Sequence, residues 1–293
     1  MKAENVPERK THINIDNPVE LLGNNYNEDA IRQWYEDEER FHDRFADGLP
    51  GKSWVIYRVF DEGYAFKEFF HPRRESRVLD FGCAEGCDIE LLRLRHEFRL
   101  FGIDASDTQL RRFQKKYPGS EVKKATVSGR IDYDSDFFEY IIELSTLHHI
   151  PNVSFVLSEL ARVLKPGGTM ILREPISYMR PVGQEPPKQG ISPHERGIPV
   201  RFMLLEFNRL GLEPISVRHS FATPTMLAVA KLPALEKVPW LIFRADKILS
   251  LALKSNTHYY RRTLLDKIAP GAAYYVVRKQ QARSPTPSAK ESH

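Results

Sequence analysis

Along the chain, short apolar runs alternate with stretches in which apolar residues return every three or four positions, the pattern of strands alternating with helices. Runs near 78–81, 100–104, 122–127, 140–144, 169–173, 214–221 and 272–279 predict seven strands. Between them the periodicity predicts helices over 88–98, with Asp88 as N-cap, and over 107–117, 152–165 and 200–212. Pro118-Gly119 and Pro166-Gly167-Gly168 break the second and third of these, and both breaks read as structural turns. Such alternation calls for a largely parallel sheet covered by helices on both faces.

Three regions depart from it. Residues 27–45 carry Ile31, Trp34, Tyr35, Phe41 and Phe45 among many charges, an amphipathic helix with an aromatic face, and a second aromatic helix from Trp54 to Phe70 leads into the first strand. Residues 175–197 are too rich in Pro and Gly for a regular element; a loop of that length at a sheet's ligand edge is usually functional or disordered, and Arg180, His194, Glu195 and Arg196 are its candidate contacts. Between the sixth and seventh strands, about 222–271 form a helical insertion. Its stripe of Val238, Leu241, Ile242, Ala245, Ile248, Leu249 and Ala252 reads first as packing against the domain or a second subunit, as in a homodimer. A shallow membrane or lipid-linked substrate contact through 238–253 is the alternative, supported by Lys231, Lys237, Arg244, Lys247 and Lys254. The organisation is thus a lead and aromatic helices over 1–70, serving as a helical lid or simply packed on the core, one domain over 71–280, and a polar, disordered tail over 281–293.

Composition adds bounds. A 41% hydrophobic and 28% charged chain of 293 residues can build a sizeable core. The net charge of +4 comes without runs of Lys and Arg, so no nucleic-acid partner is expected. The N-terminus lacks the apolar core of a signal peptide and no run is long enough to span a bilayer, so a cytoplasmic location is expected. Cys83 and Cys87, four apart across a turn, supply two ligands at most; no metal site and no disulfide is expected.

The chemistry centres on Asp80-Phe81-Gly82-Cys83-Ala84-Glu85-Gly86, a strand end, a glycine turn and a helix start. Its glycine spacing is neither that of a dinucleotide fingerprint nor that of a phosphate-binding P-loop. A second acid, Asp104, ends the next strand 24 residues later, where doubly wound folds bind ribose hydroxyls. Ribose without pyrophosphate points to an adenosyl ligand. Ser128 and Gly129, at the carboxyl end of the third strand, are placed to touch the adenine edge. The fourth strand empties into Ser-Thr-Leu-His148-His149, where an acceptor should meet the ligand.

With V-L-D-F-G-C-A-E-G at 78–86, G-I-D-A-S at 102–106, F-E-Y-I-I-E-L-S-T-L-H-H-I at 138–150 and A-R-V-L-K-P-G-G-T-M-I-L at 161–172, the chain resembles the class I S-adenosylmethionine-dependent methyltransferases over most of its length. The resemblance implies a Rossmann-like mixed seven-stranded sheet, order 3-2-1-4-5-7-6 with the last strand antiparallel, and S-adenosyl-L-methionine as cofactor. It implies that Asp80, Phe81, Gly82, Cys83, Ala84 and Gly86 hold the methionine end and Asp104 the ribose, with Ala105 and Ser106 beside the adenine. Leu144 joins the same cofactor set. Many relatives carry an acid where this chain has Ser128, a departure that leaves the adenine contact open. Methyl transfer is an in-line displacement, so alignment matters most, and a hydroxyl acceptor must also lose a proton. His148 is the candidate base, and His149 either a second candidate or a residue that shapes the pocket. The acceptor is expected to be a small molecule or glycan, methylated at oxygen. The alternatives are an RNA or protein methyltransferase and a non-catalytic cofactor-binding partner of another enzyme; a dehydrogenase is disfavoured by the glycine spacing.

Overall fold

In the computed structural model, which describes residues 23–44, 54–178, 192 and 194–281, all seven apolar runs enter one sheet. The polar lead, Phe45, most of the 175–197 loop with Arg180, and the tail beyond Gln281 lie outside the described residues. The strands are β1 (Arg77–Phe81), β2 (Arg99–Asp104), β3 (Glu121–Lys124), β4 (Phe138–Leu144), β5 (Leu164–Pro175), β6 (Leu212–Ala222) and β7 (Pro270–Lys279), in the order β3-β2-β1-β4-β5-β7-β6. β7 runs antiparallel to both of its neighbours. The chain winds outward from β1 in both directions, so the crevice opens at the carboxyl ends of β1 and β4, the switch point of the sheet.

Helices cover both faces. α1 (Glu28–Arg44) crosses the top of the crevice, and α2 (Trp54–Asp61) continues through a π-turn, Glu62–Phe66, toward β1. α3 (Glu90–Arg95) and α4 (Asp107–Lys116) follow β1 and β2; α5 (Val153–Val163) and α6 (Val200–Arg209) cover the opposite face. The insertion folds as α7 (Thr223–Lys231), a short 3₁₀ turn and α8 (Pro239–Ala252). The apolar side chains accordingly form two cores, one between the sheet and α5 and α6, the other joining the sheet to α2, α3, α4 and α8.

The local differences from expectation have physical causes. The first helix after β1 starts at Glu90, not at Asp88, and has no side-chain cap; Asp88 lies instead on the crevice. β3 ends at Lys124, short of the expected Val127, and the Ala125 carbonyl beyond it accepts the Tyr35 hydroxyl of α1 at 2.8 Å. Pro166-Gly167-Gly168 is a bulge within β5: Leu164 pairs with Phe138, and pairing resumes at Thr169 with Tyr140.

α8 differs most. Ile242, Phe243, Asp246 and Ser250 face inward, while Leu241 and Ile248 of the predicted stripe face outward. The Asp246 carboxylate decides this, because it accepts the Tyr64 hydroxyl at 2.7 Å and the amides of Phe221 and Ala222 at 3.0 and 2.7 Å. A buried carboxylate must find donors, whereas aliphatic side chains tolerate either side.

Candidate active site

A cavity of 760 Å³ occupies the crevice. Tyr35, Glu38 and His42 of α1 form its roof. The roof is tied down across the crevice: Trp34 Nε1 donates to the His149 carbonyl at 2.8 Å, and His149 Nδ1 meets Glu38 Oε2 at 2.9 Å.

The wall along β1 and β2 comes from the two strand-end turns. Phe81, Gly82, Cys83, Ala84, Asp104, Ala105 and Gly129 line it, and Leu144 closes it at the end of β4. Gly82 has φ +75°, and a Cβ there would lie 2.0 Å from Thr146 Oγ1, so the turn can approach β4 only with glycine. Asp104 Oδ2 accepts the Ala84 amide and Oδ1 the Ser106 amide, both at 2.9 Å, which locks the carboxylate across the two turns. Burial pushes its carboxyl up against the pull of those amides.

Four of the expected site residues lie behind this wall instead of on it. Ser106 is wholly buried and caps α4, its Oγ accepting the Gln109 amide. Gly86 faces the ring of Tyr117, and the exposed Ser128 hydroxyl bonds Thr126 and Arg130, which themselves reach the cavity. Asp80 is buried beneath the turn, with Oδ2 lacking any hydrogen-bond partner; burial, then Asp88, Asp104 and Glu143, push its carboxyl well above the ordinary range. Asp88 Oδ1 is likewise unpartnered. Two carboxylate oxygens without a donor thus gather at the β1 end of the crevice.

His148 and His149 both reach the cavity. His148 is buried, and its Nδ1 lies 2.8 Å from Glu174 Oε2. Burial holds the imidazole down to about 3, neutral at physiological pH. Glu174 and Glu143, at the ends of β5 and β4, converge on the same two amides: Thr146 N lies 2.9 and 2.7 Å from their Oε1 atoms, and Leu147 N 2.7 and 3.2 Å. Two carboxylates so close cannot both ionise. Burial and Glu174 push Glu143 well above the usual range, while burial raises Glu174 to about 7, so Glu143 keeps the proton and donates it toward Glu174.

The opposite wall consists of side chains: Tyr57 from α2, Arg173 from β5, Phe221 from β6, Met226 from α7 and Arg261. Arg173 is wholly buried, ion-paired with Asp61, and its guanidinium lies 5.0 Å from the Tyr57 ring centre. Backbone strain collects around the cavity. Among the described residues, Ala84, Ser145 and Phe221 adopt positive φ without being glycine and all line it; Asp136 is the other such residue.

Sequence reading overlooked Glu38, His42, Tyr57, Arg173, Glu174 and Glu143. Glu38 and His42 left a signal, four apart on the lid helix; an arginine inside the apolar run of β5 was another. Glu38, His42 and His149 place ligand atoms within 4.8 Å of one another, a cluster the chain spacing hides. Glu195 adds a carboxylate 3.8 Å from His149 Nε2, and His194 stacks on Trp34 and meets Asp37 at 2.9 Å.

Residues 79–172 match a family described as a methyltransferase domain. The chain is 28% identical to 27-O-demethylrifamycin SV methyltransferase of Amycolatopsis mediterranei, over 49% of this chain and 56% of that one. It is 33% identical to the ubiquinone biosynthesis O-methyltransferase of Dechloromonas aromatica, over 36% and 48%. The matches thus span about half the length of these curated relatives. Among solved structures, the fold is similar to a chain of the complex between the Haloferax volcanii Trm112 methyltransferase activator and a methyltransferase (TM-score 0.55, 15% identity, 87% and 99% covered). It is also similar to the [4+2]-cyclase SpnF (TM-score 0.53, 15% identity, 86% and 96% covered). The second likeness is a reminder that the fold by itself does not fix the reaction.

Proposed function

We propose that the chain is a class I S-adenosylmethionine-dependent methyltransferase and that it methylates an oxygen of a small-molecule or glycan-type acceptor held between Tyr57, Arg173 and Phe221. The cofactor, S-adenosylmethionine, supplies an electrophilic methyl group on a sulfonium. The residues fit such a cation: Asp88 lines the cavity with a carboxylate oxygen that has no hydrogen-bond partner, and Asp80 lies beneath the adjoining turn. In this reading Asp104 takes the ribose hydroxyls, with Tyr35 and Ala105 on the adenine side.

The observation that carries the reading is the His148–Glu174 contact at the cavity wall. With Nδ1 committed to Glu174, Nε2 is the nitrogen left to accept the proton of an acceptor hydroxyl. Because burial holds His148 near 3 and Glu174 near 7, a proton arriving at Nε2 drives the Nδ1 proton onto Glu174. His148 is then the base and Glu174 the sink. His149, held by Glu38 and through its carbonyl by Trp34, shapes the roof.

The test is a calorimetric titration with S-adenosylmethionine, S-adenosylhomocysteine and NAD, followed by methyl transfer to hydroxylated acceptors. Binding of the adenosyl ligands alone, and turnover lost in His148→Ala with binding kept, is the expected result. No adenosyl binding rejects the reading; binding without turnover on any acceptor favours a non-catalytic partner protein.

A further inference from the structure

Because Asp246 turns the polar edge of α8 inward, the helix presents apolar side chains to solvent. Trp240, Leu241, Ile248 and Leu251, together with Leu264 and Leu265 in the turn before β7, are each 45% to 80% exposed. Exposed Lys237, Arg244, Lys247 and Lys254 stand among them. Segment 223–268 holds eight basic residues against three acidic ones, of which Asp246 is buried, while the whole chain carries only +4. The segment therefore has five more basic than acidic residues, and four of the basic ones stand among these apolar side chains.

The same segment forms one rim of the cavity. Leu227 of α7 lines the cavity and is 52% exposed, and Arg261, three residues before Leu264, lines it as well. From this continuity we infer that the α7–α8 face docks on an anionic bilayer and that the acceptor is a membrane-resident amphiphile, its polar group entering the cavity past Leu227 and Arg261. Aliphatic side chains set among lysines and arginines suit the boundary between acyl chains and anionic headgroups. A second copy of the chain suits the face less well, since a two-fold interface would set the basic residues against themselves. A nucleic-acid face would be more polar, without exposed leucines and isoleucine at its centre. The acceptor class rests on the methyl-transfer reading; the docking does not.

The experiment is co-sedimentation of the full chain with phosphatidylcholine vesicles and with equimolar phosphatidylcholine–phosphatidylglycerol vesicles. The chain should bind the anionic vesicles, more weakly as salt rises. Leu241→Ser/Ile248→Ser should lose at least tenfold in partitioning, and Lys247→Ala about fivefold, with unchanged melting temperatures. No binding at low salt overturns the docking, as does a dimer in analytical ultracentrifugation that Leu241→Ser/Ile248→Ser abolishes, or a preference for poly(U) over vesicles. Titration of the same preparation with S-adenosylhomocysteine separates the two readings: vesicle binding without nucleoside binding sinks methyl transfer alone, and the converse sinks the docking alone. Labelled methyl groups transferred in the presence of isolated membranes should extract into organic solvent; label confined to the water-soluble fraction overturns the membrane-resident acceptor.

Discussion

The cavity wall along β1 and β2 comes from two neighbouring strand-end turns, whereas the wall facing it is drawn from α2, β5, β6, α7 and the turn near Arg261. On the first wall the shape follows from two tight turns, Gly82 with its positive φ and Asp104 clamping both turns through their amides. On the second, Tyr57 and Phe221 lie 4.9 Å apart ring to ring although 164 positions separate them in the chain. The contrast separates tasks. A ligand common to a whole family can be held by turns that a short motif encodes, while a particular acceptor needs side chains that vary without disturbing the sheet.

The comparison can be sharpened at the junction of the walls first. Glu174→Gln removes the proposed proton sink and should lower kcat by about 10²- to 10⁴-fold, with S-adenosylhomocysteine affinity unchanged by calorimetry. In the wild type, kcat should rise with pH through about 7 as Glu174 loses its proton, and the variant should lose that rise. Asp104→Ala tests the β1–β2 wall and should weaken adenosyl binding by at least about a hundredfold, since hydrogen bonds to a carboxylate contribute roughly 1.5–3 kcal/mol each. Equal losses of binding in both variants would erase the division proposed here.

Smaller effects probe each wall's construction. Arg173→Met leaves Asp61 buried and unpaired and should cost about 3–5 kcal/mol in denaturant unfolding, most of it recovered when Asp61→Leu is added. On the β1–β2 wall, Gly82→Ala should destabilise by about 2–3 kcal/mol through strain and its clash with Thr146. Gly119→Ala, equally left-handed but open to solvent, should cost only about 1 kcal/mol. The smallest effect concerns pH. Glu143 and Glu174 are held above their ordinary 4.5, so their protonated forms stabilise the fold below about pH 4.5, and that contribution is lost as pH rises through the folded-state values. Glu143→Gln should flatten the decline of melting temperature above neutral pH and be at least as stable as wild type at pH 8.

The sequence alone determined the sheet, its order through family resemblance, the glycine turn and the acid at Asp104, because these depend on residues adjacent in the chain. Alternation, turn residues and strand-end acids are short-range signals, and 78–106 contains all of them. His148 was also legible by its place after β4. Its partner Glu174 was not, because only the parallel pairing of β4 with β5 brings residues 26 apart into contact. The same limit hid the face of α8. Periodicity marked Leu241 and Ile248 for burial, but a helix that is apolar nearly all round has no preferred side until a buried polar group chooses one. Asp246, finding Tyr64 and the amides after β6, made that choice, and only the packed tertiary structure puts those donors within its reach.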